Sequence, residues 1–342
     1  LIRQLPGAEL KDNGRIYVNG KFVESLMLNG NDFFKGKNEI LLDNLPAYMV
    51  KQVKVYDKES DLSKFMGKKM DEGSYVMDVN LKRQYSIGWI GNAEVGGAST
   101  FSAQKDDRYR TRLFLTRFTP QSRISLYGTM NNISENRKPG QNGEWSPQDL
   151  SGGIQTLKMA GLDYAVNEKH QRYNLNGNVS ISYGNQDKST RRSLTTFLPD
   201  GDTYQHSWND DYIKDLELST YHQLRFEFGS PSVDFLSFEP SFNYSRINSD
   251  GNLLSGTFNE DVSSQDNLRD SLETFDDGSY LRRLIMNRQQ KLTKSSMKKY
   301  SGGLYARNYY KISNTDDALV IDNNINGSYQ SNETFDRRSI FY

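Results

Sequence analysis

Residues 172–185 read RYNLNGNVSISYGN, and from Tyr173 to Tyr183 every odd position is apolar or Gly: Tyr173, Leu175, Gly177, Val179, Ile181 and Tyr183. The even positions from 172 to 182 are Arg, Asn or Ser. A period of two predicts a β-strand with one apolar and one polar face. The texture begins at about residue 85, where Tyr85, Ile87, Trp89, Gly91, Ala93 and Val95 mark a first strand. In a second, Tyr109, Thr111, Leu113 and Leu115 alternate with Arg108, Arg110, Arg112 and Phe114. Ile124, Leu126 and Met130 mark a third, 156–166 a less regular fourth, and the quoted stretch is the fifth. A sixth runs through Leu216, Leu218, Leu224, Phe226 and Phe228, and a seventh through Leu236, Phe238, Phe242 and Tyr244. Tyr300, Leu304, Ala306, Tyr310 and Ile312 make the eighth, and Leu319, Ile321, Ile325 and Tyr329 the ninth.

The links alternate in length. TPQS, NEKH, SPSVD and SNTDD are short, whereas the links near 97–107, 132–155, 185–214 and 246–298 are long. A soluble antiparallel sandwich also alternates apolar and polar positions, but nothing requires its loops to be short at one end only. A transmembrane barrel has short turns at one end, long loops at the other, lipid outside and water or a plug inside. Strands of about ten residues suit a tilted membrane crossing better than the usual five or six of soluble sheets. Tyr173, Leu175, Val179 and Ile181 are therefore expected to face lipid, and Asn174, Asn176, Asn178 and Ser180 the lumen. Tyr173 and Tyr183 would sit in aromatic girdles.

Residues 1–82 have a different texture, that of a small α/β unit. LIRQLPG suits a helix end stopped at Pro6 and Gly7, and RIYVNGKFVESLMLNG two short strands joined at Asn19-Gly20. KNEILLDNLPAYMV suits a short helix ending near Pro46, and KQVKVYD and SYVMDVNLK two further strands. The division expected is 1–82 and 83–342.

The mean hydropathy of −0.78 does not argue against a barrel, whose alternating strands and polar loops average low. No stretch approaches the roughly 18 apolar residues of a membrane helix. Lys+Arg and Asp+Glu are 43 each, so charge points to no nucleic-acid partner. The absence of Cys excludes disulfides, thiolate catalysis and Cys-ligated zinc.

The segments LPGAELKDNGRIYVNGKFVESLMLNG and LLDNLPAYMVKQVKVYD, followed at once by barrel-like strands, resemble the TonB-dependent outer-membrane transporters, most closely a nutrient- and glycan-importing branch. The resemblance implies a plug seated in a barrel of about 22 strands. It also implies a TonB-type energy-coupling protein as partner, a surface lipoprotein in some members, outer-membrane lipid around the barrel, a solute nutrient as cargo, and no cofactor. QVKVYDKES lacks the acidic residue and Gly-Pro with which siderophore-type plugs commonly finish this element. Because nine strand-like stretches cannot close such a barrel, the chain is expected to be a fragment; a small barrel with a tenth strand at RRSIFY is the alternative.

Catalytic and metal chemistry is sparse. His170, His206 and His222 share no metal-ligand spacing and are expected to be solvated or interface-level side chains. SWNDD beside His206 lacks a strand-turn-helix setting, and RINSDGN lacks the distal Glu of a calcium loop. No phosphate-binding glycine motif occurs, and the chain is not expected to be an enzyme. The candidate ligand contacts are Arg108, Arg110 and Arg112 on the lumen face, with Trp145 and Trp208 in long loops. Ordinary lumen polarity paired to plug carboxylates is the plainer account of the arginines. Leu268, Leu272 and Phe275 suit a short loop helix, and YLRRLIMNRQQ (280–290) a second. A non-transporting surface binding or adhesion barrel is the alternative function.

Overall fold

A computed structural model describes residues 5–11, 15–30, 45, 47–59, 63, 69, 72–99, 107–135, 152–168, 172–230, 233–264, 267–274, 284–311 and 318–341. Two small sheets come first. Strands β1 (Ala8–Leu10), β2 (Ile16–Val18) and β3 (Lys21–Phe22) form an antiparallel meander. The β2–β3 turn needs positive φ at both central positions, which Asn19 (φ 51°) and Gly20 (φ 80°) supply. Strands β4 (Ser25–Leu28), β5 (Val50–Lys58) and β6 (Ser74–Leu81) form a mixed sheet in the order β4-β6-β5, with β4 parallel to β6. Asp78, buried on β6, accepts the Gly30 amide at 2.8 Å, while the Leu81 amide donates to Asn29 at 2.8 Å. The turn after β4 is thereby fastened to β6.

Ile16, Val23, Leu26, Leu28, Met77 and Val79 form the core of this part, each side chain contributing about 1.5–3 kcal/mol on full burial. Phe118 and Ala165, which belong to the following sheet, complete it. The helices expected at residues 1–5 and 37–46 fall largely outside the described residues. A 3-10 turn occupies Ala47–Met49.

Nine strands follow in one antiparallel sheet, each paired with its sequence neighbours, as expected of a mainly β partial barrel. They are β7 (Gly88–Ala98), β8 (Arg108–Phe118), β9 (Ser122–Asn131), β10 (Ile154–Asn167) and β11 (Tyr173–Thr196), then β12 (Thr203–Ser230), β13 (Val233–Phe258), β14 (Ile285–Lys311) and β15 (Ala318–Phe341). Among the described residues the sheet is open, with β7 and β15 at its edges.

Polarity across this sheet is inverted relative to a soluble fold. On β8 to β11 the apolar Leu113, Leu115, Ile124, Leu126, Leu162, Val179 and Ile181 are 36–49% exposed. The opposite face carries Arg112, Thr116, Arg123, Ser125, Thr129 and Asn131 at 0–6%. Phe118 and Ala165 lie on that inner face, so the small sheets pack where the polar residues are. On β12 the outward positions run from Leu216 to Phe228 and then change at Lys214. That is about 40 Å of strand at about 3.3 Å per residue, or about 28 Å along the normal at a tilt of about 45°. One end of the band carries tyrosines: Tyr244 and Tyr300 lie 4.9 Å apart, and Tyr300 and Tyr329 6.3 Å.

Several expectations need correction. The link drawn at 185–214 is mostly strand: β11 has 24 residues and β12 28, leaving only 197–202 between them. RINSDGN lies within β13, not in a turn, and β14 begins at Ile285 where a second helix was expected. RRSIF continues β15 and adds no tenth strand. The first loop helix does form, as α1 (Leu268–Thr274), with Leu268 and Leu272 buried.

Candidate functional site

The inner wall of the sheet holds most of the buried polar chemistry. Two-residue periodicity puts Arg108, Arg110 and Arg112 on this side of β8, as expected. Arg110 meets Glu94 of β7 at 3.0 Å and Glu135, just beyond β9, at 3.5 Å. Arg112 reaches the other oxygen of Glu94 at 3.5 Å. Arg108 donates to the Asn132 carbonyl at 2.9 Å. These contacts join β8 to its neighbouring strands and their ends. Arg110 and Arg112 share Glu94 in a charge-assisted network that fixes β7 against β8.

Further along the wall the Thr116 and Ser125 hydroxyls lie 2.6 Å apart, and Arg123 donates to Ser125 at 2.6 Å. Tyr221 donates to one oxygen of Glu239 at 3.0 Å, and Gln223 to the other at 2.5 Å. Between β13, β14 and β15 a shallow, uncharged depression of about 350 Å³ is lined by Ser241, Asn243, Ser301, Asn326 and Ser328. The wall therefore combines one arginine-rich zone on β8 with a neutral hydroxyl- and amide-bearing zone on β13–β15. Such a surface can hydrogen-bond a polar solute; it offers no nucleophile-base pair, and no metal-binding cluster occurs among the described residues.

A second cluster lies at the long-link end. Trp208 was expected in a loop; it is on β12 and buried, packed with Leu254 and Phe258 of β13, Val262, Leu284, and Leu268 and Leu272 of α1. Asp210 binds Arg269 at 2.5 Å, and Arg191 of β11 lies 5.6 Å from the Trp208 ring. Arg288, buried on β14, donates to the Leu272 and Glu273 carbonyls at the end of α1. His206, expected to be a solvated or interface-level side chain, is only 3% exposed beside Trp208 and Phe258. Its Nδ1 lies 2.9 Å from Ser193 Oγ, while Nε2 has no partner among the described residues. Burial first, and then the charge of Arg191, hold its pKa below the usual 6.5, with Asp261 opposing.

His222 lies outward, within the apolar band. Tyr164 Oη is 2.9 Å from its Nδ1 and Thr220 Oγ1 2.7 Å from its Nε2, so both ring nitrogens are engaged. Trp145 and His170 fall outside the described residues. Sequence reasoning missed the cluster around His206 because its burial depends on α1, far along the chain. The alternation Tyr204, His206, Trp208 opposite Leu254, Gly256, Phe258 is the signal that could have shown it.

No family model matches this chain, and no curated protein matches it. Among solved structures, the chain is similar to one in the FpvAI–pyocin S2 complex at 10% identity and a TM-score of 0.33, over 99% of this chain and 52% of that one. The ferric-catecholate import receptor Fiu of E. coli K12 follows at 10% and 0.28, over 97% and 62%. The ferric yersiniabactin uptake receptor FyuA of Yersinia pestis stands at 9% and 0.20, over 97% and 58%. The chain thus spans between half and two thirds of the length of these proteins. Superpositions this loose do not establish common ancestry.

Proposed function

We propose that this chain is part of an outer-membrane, TonB-dependent receptor that imports a nutrient solute, with residues 1–82 as plug and 83–342 as barrel wall. The observation that carries this is the inverted polarity of the nine-stranded sheet, with apolar side chains exposed outside, polar ones buried inside, and two small sheets seated on the polar side. In lipid every backbone group of a spanning sheet needs a partner, so the edges of β7 and β15 must be covered there. The solute would meet the inner wall, at the accessible flanks of Arg108 and Arg110 and at the neutral depression on β13–β15. Arg112, at 6% exposure, would act by holding Glu94. A glycan or peptide suits these hydrogen-bonding groups. The plug is the part a TonB-type coupling protein would move, and a surface lipoprotein would lie at the long-link end.

The test is fractionation of source cells with an antibody to residues 172–196, running outer-membrane samples boiled and unboiled. An outer-membrane band that shifts on boiling is expected; a soluble band that does not shift refutes the reading. The projecting strands of 24–28 residues and the exposed Phe197 at their tip favour a second reading, a surface adhesion barrel without transport. Loss of solute uptake on removal of the coupling protein separates the two.

A further inference from the structure

The cluster around Trp208 has a feature that packing alone does not require. Its outer layer, α1 and the segment leading to it, lies on β13, and the group buried among the Trp208 and Phe258 rings is an imidazole. One ring nitrogen faces the Ser193 hydroxyl and the other faces no partner among the described residues. A neutral imidazole tolerates that site; a charged one would be buried with one hydrogen bond among the described residues, at a large desolvation cost.

We infer that His206 is an acid-sensitive latch, which keeps α1 docked on β13 in neutral medium and releases it when the imidazole is protonated. The charges around it fit this role. Arg191, from β11, repels an imidazolium, whereas Asp261, from the segment before α1, attracts it but is itself solvent-exposed and hydrogen-bonded to Ser263. Of the remaining charges in the cluster, Arg269 is engaged with Asp210 and Glu273, and Arg288 with the last carbonyls of α1. Both are cations and offer an imidazolium no compensation, while the carboxylates of Asp210 and Glu273 face Arg269. Undocking admits water to the ring and exposes Trp208, Leu254 and Phe258, an apolar surface at the long-link end. The inference holds whether or not the sheet imports a solute, since the cluster lies ten residues along β12 from Leu216, where the apolar band ends.

The sign follows from linkage. The docked-state pKa lies below the 6.5 of a free imidazole, so docking is fully stable above that value. Its stability falls as pH drops below 6.5, by at most about tenfold in the docking equilibrium per pH unit, and levels off beneath the lowered value. The chain has no Cys, so a single introduced thiol reports opening. In the detergent-solubilised protein, maleimide labelling of Leu272→Cys, at a site 0% exposed, is measured against that of Thr274→Cys on the exposed side of α1. The ratio cancels the pH dependence of thiol chemistry. It is expected to be low at pH 7.5, to climb below pH 6.5, and to stay flat when His206→Phe is added. A flat ratio with His206 present, or the same climb with His206→Phe, overturns the inference. Should Leu272→Cys already label freely at pH 7.5, iodide quenching of Trp208 in a variant carrying Trp89→Phe and Trp145→Phe decides the matter. Quenching must rise over the same window, and its constancy overturns the inference.

Discussion

Leu126→Arg separates a membrane wall from a soluble sheet more sharply than any other substitution. Leu126 points outward near the middle of β9, between Leu115 and Leu162, and is 47% exposed. On a water-facing surface such a change alters stability by no more than about 0.5 kcal/mol. On a lipid-facing barrel surface an arginine near the midplane costs about 2–4 kcal/mol. The contribution of leucine itself is part of that sum: full burial of its side chain is worth about 1.5–3 kcal/mol, and about half is available to lipid here. At 1.4 kcal/mol per tenfold, the folding equilibrium should shift about 30- to 700-fold. The assay is urea-dependent folding of the protein into phosphatidylcholine vesicles, read by the mobility of unboiled samples. Phe197→Arg, at the exposed hairpin tip, serves as a control expected to stay within about 0.5 kcal/mol. If Leu126→Arg behaves like that control, the outward face meets water and the membrane reading fails.

Other perturbations test separate parts of the structure. A Cβ at Gly161 would lie 2.4 Å from the Tyr127 ring, so Gly161→Ala should destabilise by about 1–3 kcal/mol through overpacking, and Gly161→Ala with Tyr127→Phe should recover little because the clash involves the ring as well as the hydroxyl. Gly20→Ala has open space around it but keeps φ at 80°, and should cost about 1–2 kcal/mol in urea unfolding. Arg112→Ala removes one of two arginines from Glu94 and leaves Arg110 at 3.0 Å; a loss of about 1–3 kcal/mol is expected, smaller in Glu94→Gln/Arg112→Ala than the sum of the single changes.

The sequence was readable wherever two different environments press on the two sides of a strand. From Tyr173 to Tyr183 and from Leu216 to Phe228 the outward face is apolar and the inward face polar, and the alternation appears directly. Beyond Lys188 on β11 and before Tyr212 on β12, residues such as Arg192, Thr195 and Gln205 are exposed. No alternation is imposed on them, and these strand continuations resembled loops. Where alternation does return, at His206 and Trp208, its cause is α1 some sixty residues later, a contact no local period encodes. The arginine row was placed on its proper side by periodicity. Its partners Glu94 and Glu135 were not foreseen, because which carboxylate faces which arginine is fixed by the stagger between strands, and sequence alone leaves that stagger open.

The unbroken pairing of β11 with β12, from Tyr173↔Phe226 to Thr196↔Thr203, also sets a rule for how this surface can change length. Removing one residue from each strand near the hairpin tip shortens the ribbon and leaves the pairs beneath it untouched. An unmatched deletion within Leu216–Phe228 would turn every later side chain to the opposite face, sending Glu217 or Arg225 outward and the leucines inward. Matched insertions and deletions are therefore tolerated only at the tip itself, because from Tyr204 onward β12 is also paired with β13 and carries the buried His206 and Trp208. The boundary between these two regimes should fall close to Thr203, one residue before the pairing of β12 with β13 begins.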